Sequence, residues 1–257
     1  MNALIIVQAR TGSSRLPEKI LKPFFNGQTL LEVQLSKLVD AFGLDRVVIA
    51  TSNSTADDQL AHWLSENNYQ VYRGSEDDLV ERFIGASREH KGVEHLVRVC
   101  ADNPFLRTEY IEKLLEHVDN SGLNYVSFQH CDGTPSILGH SGLFAEMVQV
   151  NTLEKIVVAT ADLENRALFR EHPTLFILQN RDQFQLRFIE VDSSIDDGDP
   201  IRLTVDTLAD FELSQRLYSK LVKEYGVGFS VAALLETVRA DPNNGQQMAN
   251  NILKNSK

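Results

Sequence analysis

The chain has 257 residues, a length that suits one large α/β domain with a substantial core. It is 42% apolar and 24% charged, an ordinary globular composition, and its net charge of −11 makes the surface repel nucleic acid and anionic membranes, so an anionic ligand must be held by a local cationic site. No apolar run approaches the ~20 residues of a membrane span, Leu4 to Val7 is too short for a signal-peptide core, and Cys100 and Cys131 read as reduced thiols, so the expectation is a cytoplasmic protein.

In chain order, "ALIIVQ" is a continuous apolar run, the pattern of a strand buried on both faces. "VQARTGSSRLPEK" follows as a loop. "TLLEVQLSKLVDAF" predicts a helix, with Thr29 and Glu32 at capping-box spacing and Leu31, Leu35, Leu38 and Phe42 along one face. "RVVIAT" is a second strand and "TADDQLAHWLSEN" a second helix, with Leu60 and Leu64 inward. "QVYRG" is a short strand, and "EDDLVERFIGASREH" a helix with acids in its first turn. "EHLVRVCA" is a strand, "RTEYIEKLLEHVDN" a helix and "NYVSFQ" a strand again. Strands alternating with helices predict βαβ units and a mostly parallel sheet.

The pattern then changes. Residues 131–142 read as loop, 143–161 and "ENRALFRE" as helical, and "QFQLRFIEV" as a half-exposed strand. The region 131–190 therefore reads as an inserted lobe or dimerisation arm of a single domain spanning 1–240. "IRLTV" returns to the core as a strand, Thr207 and Asp210 form a capping box for "LADFELSQRLYSKLVKEY", and 241–257 reads as a polar tail that frays.

Four stretches carry chemistry. In the first loop, Gly12 permits unusual backbone conformations, and N–H groups of Gly12, Ser13 and Ser14 can form a nest for phosphate oxygens. Arg10, Arg15 and Lys19 supply the neutralising charge. The competing reading is a solvated turn. The loop matches neither the Walker A nor the dinucleotide pattern. Asp102 and Asp206 each end an apolar strand, on the rim where open α/β sheets bind ligands. Each alone reads best as a helix N-cap; together, beside a phosphate loop, they fit a Mg²⁺–triphosphate site. In "VYRGSEDDLVER", Ser75 reads as an N-cap, and Arg73 with Ser75 can alternatively approach a nucleotide base. The seven histidines show no zinc spacing, and no redox cysteine pair or nucleophile elbow is present.

"IIVQARTGSSRLPEKILKP" resembles the signature of the sugar cytidylyltransferases, the group with CMP-sialic acid synthetase and 3-deoxy-manno-octulosonate cytidylyltransferase, and most closely the spore-coat polysaccharide biosynthesis protein F-type members. "VVIATSNSTADDQL", "VYRGSEDDLVERF", "VRVCADNPFL" and "LTVDTLADFEL" continue the likeness in order. The resemblance implies a three-layer, Rossmann-like nucleotide-diphospho-sugar transferase fold, and transfer of CMP from CTP to a sugar with loss of pyrophosphate. It further implies a homodimer. By motif it assigns Arg10, Gly12, Ser13, Ser14, Arg15 and Lys19 to the triphosphate loop, Asp102 and Asp206 to Mg²⁺, and Arg73 and Ser75 to base or ribose contacts. Glu18 stands where the family usually has glycine, "ADNP" replaces "GDxP", and 132–142 departs from the run expected at the sugar acceptor. A glycosyltransferase, with "DDGD" at 196–199 as its metal motif, and a non-catalytic nucleotide-binding protein are the alternatives.

Overall fold

The computed structural model describes residues 2–119, 122–197 and 201–255. The chain opens with β1 (Ala3–Gln8), crosses the loop 9–22, and forms a small hairpin from β2 (Pro23–Phe25) and β3 (Gln28–Thr29). Then come α1 (Leu30–Phe42), β4 (Val47–Ser52), α2 (Asp58–Glu66), β5 (Gln70–Gly74), α3 (Leu79–Arg88), β6 (His95–Cys100), α4 (Thr108–Leu115) and β7 (Tyr125–Gln129). The second half supplies β8 (Glu146–Gln149), α5 (Val150–Ala159), α6 (Arg166–Glu171), α7 (Pro173–Gln179), β9 (Leu186–Glu190), α8 (Ser193–Asp196), α9 (Leu208–Tyr225), α10 (Val231–Arg239) and α11 (Pro242–Asn255).

The central sheet has seven strands in the order β5-β4-β1-β6-β8-β7-β9. Only β8 runs against the others, antiparallel to both β6 and β7. The remaining strands therefore end on one rim. Alternation along β1 explains the layering: Ile5 and Val7 face a core built with α1, α2, α4, α9 and α10, while Leu4 and Ile6 face α3, α5, α6 and α7. The predicted three-layer α/β architecture is therefore the observed one. Both expected capping boxes form, Thr29 with Glu32 and Thr207 with Asp210.

Five expectations need correction. The stretch 131–190 is not set apart as a lobe. β8 and β9 lie inside the central sheet, and α5 to α7 cover its second face. The helix expected over 143–161 begins only at Val150, because Glu146 to Val148 pair between two strands; a short apolar run does not by itself distinguish helix from strand. "IRLTV" pairs with no strand among the described residues. Leu203 and Thr204 donate their N–H groups to the His140 carbonyl, and Val205 to that of Asp102. The tail forms α11, which buries Met248 and ties Asn251 Nδ2 to Asp210 Oδ1 at 2.8 Å. The predicted helix 107–120 ends by Leu115, and Asn120 lies outside the described residues.

Candidate functional site

The strand ends of β1, β4, β5 and β6 form the rim that the loops decorate. The loop after β1 is fixed from beneath by Asp57, which is 2% exposed. Its Oδ1 accepts from the Thr11 N–H and Thr11 Oγ1, both at 2.7 Å, and its Oδ2 accepts from Ser52 Oγ at 2.5 Å and Ser52 N–H at 3.3 Å. Burial raises the Asp57 pKa, but these donors outweigh it and hold the carboxyl below its ordinary value. The Thr11 carbonyl then accepts from the N–H groups of Ser13 (2.8 Å) and Glu18 (3.2 Å), closing the loop on itself.

That closure changes the expected phosphate nest. The Ser13 N–H is spent inside the loop. Gly12 does not adopt a positive φ, and a β-carbon there would meet nothing closer than Glu76 Oε1 at 3.7 Å. The left-handed residue is instead Glu18, at φ 54°. It caps the turn Lys19–Leu21, whose buried Ile20 anchors it and leaves Lys19 to cross the rim.

Lys19 Nζ donates to Asp102 Oδ2 and to the Val205 carbonyl, both at 2.6 Å, and lies 3.5 Å from Asp206 Oδ1. Arg15 Nη2 reaches Asp206 Oδ1 at 2.7 Å. Burial works to lower the Lys19 pKa, and the carboxylates of Asp102 and Asp206 overcome it, so the net shift is upward. Below them lies fully buried Arg202. Its guanidinium binds Asp206 Oδ2 at 2.9 Å, Asp210 at 3.0 and 3.1 Å, and His140 Nδ1 at 3.0 Å. Asp102 is held by α1: Gln34 Nε2 donates to the Cys100 carbonyl (2.8 Å) and the Asn103 carbonyl (3.3 Å).

The structure thus brings Arg15, Lys19, Asp102 and Asp206 into one cluster. Neither aspartate caps a helix, because Thr207 caps α9 and Arg107 occupies the cap position of α4. Arg10 turns away toward α6, with Nη2 3.3 Å from Glu171 Oε1. Arg73 ties down the β4–α2 loop, donating to the carbonyls of Ser52 (3.0 Å) and Ser54 (2.9 Å) and pairing with Asp58 at 2.7 Å. Ser75 is not the cap of α3, which is Asp78. Its Oγ accepts from the Asp78 N–H at 3.0 Å, and its carbonyl accepts from buried Arg82 at 2.7 Å. Arg10, Arg73 and Ser75 therefore form a flank along the same rim rather than part of the central cluster.

Asp102 and Asp206 offer hard carboxylate oxygens close enough to share one ammonium. Among the described residues no group of three or more His, Cys, Asp or Glu could enclose a metal. The donor set fits a divalent cation that completes its shell with phosphate oxygens and water. Asp196 of "DDGD" has both oxygens engaged, by His130 Nδ1 and the Cys131 N–H, so it does not present a free metal motif; Gly198 and Asp199 lie outside the described residues.

Sequence reading missed Asp57, Arg202 and Gln34. Only Arg202 left a signal: a lone cation in an apolar run, four residues before Asp206.

Known proteins share this sequence and fold. A protein of Methanocaldococcus jannaschii, MJ1063, is 32% identical over 225 residues, covering 88% of this chain and 85% of its own. The spore coat polysaccharide biosynthesis protein SpsF of Bacillus subtilis is 31% identical over 221 residues, covering 84% and 86%. The solved structure of a cytidylyltransferase from Leptospira borgpetersenii superposes with a TM-score of 0.78 at 25% identity, covering 96% of this chain and 97% of that one. The family pattern described as cytidylyltransferase matches residues 4–236, and the chain belongs to the cytidylyltransferase family.

Proposed function

We propose that this cytidylyltransferase transfers CMP from CTP to the anomeric hydroxyl of a sugar, an acidic sugar by resemblance to the sugar cytidylyltransferases, with release of pyrophosphate. The similarity to SpsF supports a role in surface polysaccharide synthesis. The observation that carries the reading is the meeting of Arg15 and Lys19 with Asp102 and Asp206 at the carboxyl ends of the strands.

Asp102 and Asp206 would hold Mg²⁺, which when bound polarises phosphate oxygens and acidifies the attacking hydroxyl. Lys19 and Arg15 bind the phosphate chain and stabilise charge on the departing pyrophosphate. Both exchange an aspartate partner for phosphate oxygens, so their positions are set before substrate arrives. Arg202, buried beneath, keeps the Asp206 carboxylate oriented while the surface cations move to the substrate. Arg10, Ser13, Ser14, Arg73 and Ser75 line the rim toward β5, where we place the triphosphate tail, ribose and base. No side-chain nucleophile is required, because the acceptor hydroxyl attacks phosphorus directly. A cytoplasmic location fits the use of CTP, and the family resemblance supports a homodimer.

The test is a thermal-shift screen of CTP, UTP, GTP and ATP, each with and without Mg²⁺. CTP with Mg²⁺ is expected to raise the melting temperature most, since a ligand selective for the folded state stabilises it. Equal shifts for all four nucleotides, or none, would overturn the assignment.

A further inference from the structure

The loop after β7 holds a histidine–aspartate pair that the nucleotide-binding residues do not use. His130 follows β7 directly, and Asp196 ends α8, just beyond β9. β7 and β9 are parallel neighbours, with Gln129 opposite Glu190. Asp196 Oδ1 meets His130 Nδ1, and Asp196 Oδ2 accepts from the Cys131 N–H at 2.8 Å. The carboxylate thus grips both the ring and the backbone beside it, and fixes Nδ1 as the nitrogen facing the aspartate. Nε2 makes no hydrogen bond to any other described residue. A β-carbon at position 139 would lie 3.8 Å from Nε2, so Gly139 stands beside that nitrogen without a side chain of its own. The charged or titratable groups around the ring are Asp196, Asp132 and the Cys131 thiol.

The pair lies on the same rim as the aspartate cluster. Val97 of β6 and Val126 of β7 both pair with Met147 of β8. Counting four residues outward sets His130 level with Ala101, the residue before Asp102. Two strand spacings separate them, about 10 Å. The loop that starts at His130 then folds back over the segment bearing Asp206: the His140 carbonyl accepts from Leu203 N–H at 2.8 Å and Thr204 N–H at 3.2 Å. Gly142, at φ 65°, packs against Leu203 so closely that a β-carbon would stand 3.1 Å from its carbonyl carbon. The loop joins His130 at one end to the surroundings of Asp206 at the other, so one segment carries the imidazole and packs against the aspartate cluster.

We propose that His130 is the general base for the acceptor hydroxyl in this CMP transfer, with Asp196 as its positioning residue. The inference rests on the CTP-dependent reading above. Nε2 takes the proton of the hydroxyl as the oxygen bonds to the α-phosphorus. The bond from that phosphorus to the bridging oxygen breaks, and its electron pair leaves with pyrophosphate. Asp196 stabilises the imidazolium that results.

Two measurements test it. The first needs no acceptor: a crystal structure of the wild-type protein with CTP and Mg²⁺. A base in contact with the attacking oxygen, itself in near-attack range of phosphorus, puts Nε2 about 6 Å from the α-phosphorus, opposite the bridging oxygen. Nε2 on the pyrophosphate side, or at roughly twice that distance with the loop ordered, overturns the proposal. The second is pyrophosphate release with a panel of hydroxyl sugars that includes 3-deoxy-manno-octulosonate and N-acetylneuraminate. His130→Gln is expected to lower kcat about 10²- to 10⁴-fold, with CTP affinity by calorimetry changed less than about threefold, and added imidazole is expected to restore part of the rate to His130→Ala. His130→Gln retaining more than about a tenth of kcat overturns the proposal. If His130→Gln fails to fold, Asp196→Asn gives the same comparison with the ring intact. A wild-type protein that binds no CTP would defeat the nucleotide reading itself, a failure distinct from a CTP complex in which His130 stands aside.

Discussion

The Val205 N–H donates to the Asp102 carbonyl at 3.0 Å, and this one backbone bond sets the two site aspartates side by side although 104 positions separate them in the chain. Asp206 then accepts Arg15, Lys19 and Arg202 at once. Asp206→Asn keeps the shape and removes the charge. Arg202 keeps its two bonds to Asp210, so its guanidinium stays paired and the fold should survive with a stability change of about 1–2 kcal/mol. Turnover should fall at least about 10²-fold, read as pyrophosphate release, with a raised Mg²⁺ requirement. Near-wild-type release would remove Asp206 from the chemistry.

Glu18 occupies a left-handed conformation at φ 54°, a region that favours glycine. Two effects can be separated there. Glu18→Gly removes both the backbone strain and a carboxylate beside the phosphate loop; Glu18→Ala removes only the carboxylate. Both should tighten CTP binding a few-fold, measured by calorimetry at low salt. Only the glycine variant should also gain stability, by up to about 1 kcal/mol. Equal melting temperatures for the two would show that the conformation costs nothing.

The periodic elements were legible because each carried its own signal. The helix from Leu208 had a capping box and a regular apolar face, and β1 was an unbroken apolar run. The pair Asp102 and Asp206 was legible because each follows an apolar segment at a loop. Asp57 was not, because what makes it matter is burial and four donors from Thr11 and Ser52, contacts that only the folded rim creates. The strand β8 was missed for a related reason: its identity comes from the two strands it pairs with, not from its four letters. His130 and Asp196 lie 66 positions apart, and no local spacing joins them.

Asp57 predicts an acid sensitivity. Its folded pKa lies below the ordinary carboxylate value of 3.8, so its contribution is present above that value and is lost as pH falls through the lower folded value. Asp57→Asn should flatten this part of the acid unfolding curve. At neutral pH it should cost about 2–4 kcal/mol, because the Thr11 and Ser52 donors lose a charged acceptor in a buried place. CTP affinity should drop with it, since the phosphate loop loses its anchor. A variant as acid-sensitive as the wild type would assign that limb to other carboxylates.

Lys37 predicts the opposite limb. Its Nζ sits under the Asp102 loop, donating to the Pro104 carbonyl at 2.5 Å and lying 4.8 Å from the centre of the Tyr218 ring. Burial pushes its ammonium down to about 7, with repulsion from Arg107 acting the same way and Glu109 opposing. In the unfolded chain the group titrates near 10.5. Between these values the unfolded chain holds a proton that the folded chain has released, so stability rises with pH across the window, and the cost of burying the charge is fully present below about 7. The wild-type urea midpoint should therefore climb from pH 7 to pH 9. Lys37→Met abolishes the titration but leaves the Pro104 carbonyl without its donor, a loss of about 1 kcal/mol. At pH 7 removing the buried charge outweighs that loss, so the variant is the more stable protein there, and its advantage shrinks as the pH rises toward 9. A climb of the same slope in Lys37→Met would mean that Lys37 keeps its proton in the folded state and that another group controls the limb.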